Sequence, residues 1–96
     1  MITLEGDRLM VQGRLTIATV PALFETGLQH LASENFMVDF SKVEAVDSAA
    51  VSLLLGWARA AKRNQHELRV VGLPDNLLSL ARLYGVSDLL PQQQSA

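Results

Sequence analysis

The chain has 96 residues, no cysteine, 49% hydrophobic and 19% charged residues, and a net charge of −2. That length suits one compact domain, able to bury roughly 60–65% of the surface its unfolded chain exposes. The missing cysteines exclude disulfide frameworks, thiolate zinc sites and cysteine nucleophiles, and the weak negative charge supplies no general field for nucleic acid or anionic lipid.

"MITLEGDRLMVQGRL" reads as two short strands around Gly6-Asp7, with Ile2 and Leu4 alternating before the turn, Leu9 and Val11 after it, and Gly13 ending the second strand. "TVPALFETGLQHLAS" reads as a helix capped by Thr19, with Pro21 in its first turn and Val20, Leu23, Phe24, Leu28 and Leu31 at helical spacing. Gly27 inside that helix costs about 1 kcal/mol against alanine, so it predicts close packing there. "NFMVDF" is a short strand with Phe36, Val38 and Phe40 on one face and Met37 on the other, followed by a loop "SKVEAV". A long helix then runs from about Ser48 to Lys62. "ELRVVGL" is a strand closed by Gly72, and "PDNLLSLARLYG" a helix with Leu77, Leu80, Ala81 and Tyr84 inward, stopped by Gly85. "VSDLLP" adds an apolar turn, and "QQQSA" is a polar tail expected to fray.

The order β-β-α-β-α-β-α predicts an α/β fold, a small mixed sheet packed against helices, in a single domain over 1–96 with a core of about 9–91 and a flexible tail at 92–96. No secretory signal opens the sequence, since Glu5 and Asp7 interrupt its first residues. The longest apolar run, Ala49 to Ala58, is broken by Ser52 and Gly56 and is too short for a bilayer. The expectation is a soluble, cytoplasmic protein with no direct membrane insertion.

Chemistry is sparse. His30 and His66 stand in polar surroundings without neighbours at metal-ligand spacing, and read as solvated. There is no phosphate-cradling glycine loop. Asp39, Glu44 and Asp47 read as solvated charges around one loop, and Arg59, Lys62 and Arg63 as a basic helix end favoured by the dipole. No nucleophile–base pair, metal set or cofactor motif emerges, which argues against an enzyme and against a bound cofactor.

The helix from Ser48 carries more information. At 100° per residue, Ala50, Leu54, Trp57, Ala58 and Ala61 share one broad face, with Val51 and Leu53 at its margins. The opposite side collects Ser48, Ser52, Arg59 and Arg63, with Gly56 and Lys62 at its edges and Leu55 among them. Leu55 beside two serines is either a docking residue or one covered by a neighbouring loop. Asp47 and Ser48 are each able to accept hydrogen bonds from the helix's first turn, a cap typically worth about 1 kcal/mol. A serine hydroxyl there also tolerates added phosphate, and the same phosphate would repel a partner docked over it.

The run "MVDF", "SKVEAV" and "DSAAVSLLLGWARAAKR" resembles the core of the STAS domain, known from anti-sigma-factor antagonists, sulfate transporters and the small Mla-type subunit of lipid-transport complexes. "GLPDNLLSLARLYG", "LLPQ" and the short chain look most like the Mla type, and the resemblance covers about Leu9 to Pro91. It implies a non-enzymatic subunit bound to an MlaF-like ATPase of a phospholipid-transporting ABC complex that maintains outer-membrane asymmetry, peripheral to the inner membrane through that partner. The partner-binding residues it implies are Asp47, Ser48, Ala49, Ser52, Leu55 and Arg59, with Ser48 also the candidate phosphoacceptor. The alternative it implies is an anti-sigma-factor antagonist regulated by phosphorylation of Ser48. Ala49-Ala50 stand where the family usually carries serine or glycine and then glycine, which favours constitutive docking over a phosphoswitch.

Overall fold

A computed structural model describes residues 2–6, 8–31 and 36–90. The expectations for Asp7, for the Leu31 and Phe36 side chains and for the tail at 92–96 lie outside the described residues. Four strands, β1 (Ile2–Glu5), β2 (Arg8–Leu15), β3 (Phe36–Val46) and β4 (Leu68–Val71), form one sheet in the order β1-β2-β3-β4. β1 pairs antiparallel with β2 as a hairpin, while β2–β3 and β3–β4 are parallel and joined through helices α1 (Val20–Leu31) and α2 (Ser48–Arg63). Helix α3 (Asp75–Leu83) packs on α2, and the 3-10 turn Ser87–Leu89 follows it. The predicted element order and mixed sheet are those observed.

One face of the sheet carries Leu9, Val11, Leu15, Val38, Phe40, Leu68 and Val70, which join Leu53, Leu54 and Trp57 of α2 in the core. Alternation along a strand sends the intervening residues to the other face. There Asp39 lies in register between Met10 and Val71, and all three are buried. Asp39 is therefore not the solvated charge the sequence led us to expect. It is 7% exposed, accepts from Arg8 at 3.1 Å, and takes the Ser41 backbone N–H at 2.8 Å. Burial pushes its carboxyl up, but hydrogen bonds from the Ser41 side chain and backbone and from Arg8 outweigh that and hold it below its ordinary value.

Three further expectations are corrected. β2 runs past Gly13 to Leu15, since glycine takes φ +89° and lets the strand continue through an irregularity. The predicted loop "SKVEAV" is the second half of one 11-residue strand. Between Met10 and Gln12, and again between Gly13 and Arg14, β3 holds one residue more than β2, so two bulges interrupt its alternation. Thr19 does not cap α1 with its side chain. Its hydroxyl instead accepts from the Thr16 N–H at 3.0 Å and donates to the Arg14 carbonyl at 2.7 Å, bracing the β2–α1 loop.

The helix pair α1–α2 locks through two glycines. A Cβ on Gly27 would collide with the indole of Trp57, and one on Gly56 with the ring of Phe24. Each helix thus opens a glycine notch for the other's aromatic, and Trp57 Nε1 donates to the Phe24 carbonyl at 3.1 Å. The close packing predicted at Gly27 is present. On α2 the buried set is Ala50, Val51, Leu53, Leu54, Trp57, Ala60 and Ala61. Ala60 replaces the expected Ala58, which is half-buried. On α3, Leu77 and Ala81 are buried and Leu80 half-buried, but Tyr84 points outward at 54% exposure. It falls just past the last turn, where the chain leaves the helix and the periodicity no longer governs direction.

Candidate functional site

The parallel strands β2 and β3 end side by side, with Leu15 opposite Val46. The next residue, Asp47, is extended (φ −128°, ψ −169°) and serves as the N-cap of α2. Its carboxylate accepts from two different segments. Oδ1 takes the Ala49 N–H at 2.8 Å, which satisfies a first-turn donor of α2, and Oδ2 takes the Ile17 N–H at 3.0 Å. The Asp47 backbone N–H in turn donates to the Leu15 carbonyl at 3.0 Å. One side chain therefore caps the helix and fastens the β2–α1 loop beside it.

That fastening presents Ile17, which is 80% exposed, at the edge of a groove. The groove has a volume of about 690 Å³ and is lined by Ile17, Asp47, Ser48, Ala49, Val51, Ser52, Leu55, Tyr84 and Val86. Ser48 and Ser52, one helical turn apart, are both exposed in it. Tyr84, brought by the end of α3, stands in the same lining as Ile17. The groove thus sets two exposed hydroxyls between an exposed isoleucine and an exposed tyrosine. Among the described residues no group of three His, Cys, Asp or Glu side chains is placed to hold a metal.

Of the residues singled out from sequence, Asp47, Ser48, Ala49, Ser52 and Leu55 converge on this groove. Arg59 does not; it lines a second hollow further along α2, which shares Leu55 with the first. Leu55 is half-buried and packs in part against the core, between the two alternatives the wheel allowed. Ile17, Val51, Tyr84 and Val86 were not foreseen. Ile17 offered one signal, an apolar residue stranded in a short polar loop, but what it faces depends on a contact 30 residues away.

These features place the chain in a known class. A family model described as "Mlab, STAS domain" matches residues 2–91, and the chain belongs to the STAS domain family. It is 30% identical over 82 residues to an anti-sigma-B factor antagonist of Staphylococcus aureus, covering 83% of this chain and 76% of that protein. It is likewise 30% identical over 88 residues to the intermembrane phospholipid transport system binding protein MlaB of Escherichia coli, covering 91% of this chain and 90% of that one. Among solved structures, the unphosphorylated anti-sigma factor antagonist SpoIIAA superposes with a TM-score of 0.70 at 14% identity, covering all of this chain and 87% of that one. A STAS domain protein of Planctomyces limnophilus superposes with a TM-score of 0.74 at 15% identity, over all of this chain and 90% of the other. Both structural likenesses bear on the fold. No helix among the described residues is long and apolar enough to cross a membrane.

Proposed function

We propose that this chain is a non-catalytic STAS subunit whose α2 N-terminal surface docks on the ATPase of a phospholipid-transporting ABC complex and supports it, in a system that maintains outer-membrane lipid asymmetry. Through that ATPase the protein is held at the inner membrane without inserting into it. The observation that carries the reading is the groove between Ile17 and Tyr84, with Ser48 and Ser52 exposed in it and no reactive pair among the described residues that line it. The E. coli relative adds support because the alignment spans 90% of its length. Co-purification from native membranes tests it: the tagged chain should retain an ABC ATPase with its membrane subunit, and Ser48→Glu should release them by placing a charge at the contact. Retention of the ATPase by Ser48→Glu would remove Ser48 from the contact.

A second reading has its own support. Ser48 is exposed at a helix start, where a phosphate is locally favoured, and the S. aureus relative is named an anti-sigma-B factor antagonist. Under it, an anti-sigma kinase phosphorylates Ser48 and the phosphate releases the docked partner. Recovery of such a kinase, with phosphate on Ser48 by mass spectrometry, would favour this reading over the first.

A further inference from the structure

Beyond the groove at Ser48, the surface of α2 opens into a second hollow of about 260 Å³, lined by Leu55, Ala58, Arg59, Lys62 and Leu89. Leu55 lines both, so the two hollows form one track along the helix. From Ser48 to Lys62 that track is about 21 Å long, at about 1.5 Å of rise per residue.

Its two ends differ in charge. Among the described residues no cation lines the first hollow, and the one charged group there is Asp47. The second has Arg59 and Lys62 around the apolar groups of Leu55, Ala58 and Leu89, and Leu89 is 64% exposed. α2 carries Arg59, Lys62 and Arg63 and no carboxylate, in a chain whose net charge is −2. Neither Arg59 nor Lys62 enters an ion pair among the described residues. The negative end of the helix dipole accounts for cations in a last turn. It does not account for an exposed leucine and an apolar hollow beside them.

We propose that this track receives an amphipathic segment of the partner, which sets apolar side chains against Leu55 and Leu89 and carboxylates against Arg59 and Lys62. The proposal rests on the docking reading above and adds the partner's chemistry and its direction along α2. A helix laid in a groove anchors through apolar residues spaced three and four apart, and opposite charge at one end fixes which way it lies. The acidic end of the segment points toward the C-terminus of α2, away from Asp47. The concave, leucine-lined form of the hollow fits an inserted side chain better than the flat surface of an anionic membrane.

The test measures binding of the purified ATPase subunit to the full chain at low and high salt. Arg59→Glu with Lys62→Glu should weaken binding about tenfold at low salt and flatten the salt dependence. Arg59→Gln with Lys62→Gln, which introduces no repulsion, should give a smaller loss in the same direction at unchanged melting temperature. Wild-type affinity and salt dependence in both pairs would overturn the acidic segment; if Ser48→Glu still weakened binding, the docking reading would stand alone. If Ser48→Glu also bound normally, both would fall. Loss of sedimentation with phosphatidylglycerol vesicles, at unchanged ATPase affinity, would assign the cations to lipid and overturn the proposal.

Discussion

Gly27→Ala probes how closely α1 and α2 must approach. Intrinsic helix preference favours the alanine by about 1 kcal/mol, so a surface glycine at that point would gain from it. Here the new methyl enters the indole of Trp57, a side chain with no exposed surface. Overpacking of this kind costs about 1–3 kcal/mol. If the ring withdraws, its Nε1–H also loses the Phe24 carbonyl, and a stranded buried donor costs about 1–3 kcal/mol more. Net of the propensity gain, the loss is about 1–5 kcal/mol, and its midpoint of about 3 kcal/mol lowers Tm by roughly 12–24 °C in a domain this small. Thermal unfolding followed by circular dichroism and by the fluorescence of the single tryptophan reads it directly. The nearest atom the methyl meets, Cζ2, belongs to the outer indole ring, which phenylalanine lacks. In a Trp57→Phe background the same substitution should therefore cost less, a coupling that a double-mutant cycle exposes. An unchanged or raised Tm for Gly27→Ala alone, or an equal penalty in both backgrounds, would refute the reasoning.

Asp47→Ala should lower stability by about 1–2 kcal/mol, and Asp47→Ser, which keeps a cap but is too short to reach Ile17, should recover most of that while still weakening partner binding; equal binding by Asp47→Ser and wild type would show that the Ile17 tether is dispensable. Asp39 is held below its ordinary value when folded, so its contribution is present above the unfolded pKa and fades as pH falls through the folded one. The Tm of Asp39→Asn, followed from neutral pH to below about 4, should fall less steeply than that of the wild type. Leu55→Glu should weaken docking at a cost of about 1 kcal/mol in stability, since the side chain is half-buried and a glutamate can turn its carboxylate outward; full binding would take Leu55 out of the contact.

What was legible from the residues alone was what they decide locally. Asp47-Ser48 stands between an apolar run and a helical pattern, and the cap it announces is present. Gly27 in an amphipathic helix announced close packing, and Trp57 supplies it. The misreadings share a cause. The second half of β3 looked like a loop because its bulges break the two-residue alternation, and Gly13 looked like a terminus because it sits at one of those irregularities. Asp39 looked solvated because Arg8, 31 residues away, cannot be assigned to it from the sequence. Ile17 and Tyr84 reach the groove only through tertiary placement, one by the Asp47 tether and the other by the docking of α3 on α2.

The bulges in β3 also act as a gauge. Seven steps along β2, from Arg8 to Leu15, match nine along β3, from Met37 to Val46. In a regular pairing Leu15 would meet Glu44, and Asp47 would lie about 7 Å further past the end of β2 than it does. The two surplus residues draw it back to where one carboxylate meets both Ala49 and Ile17. The position of the surface is thus written in a residue count. One residue gained or lost between Asp39 and Asp47 would displace the tether with every residue of α2 unchanged.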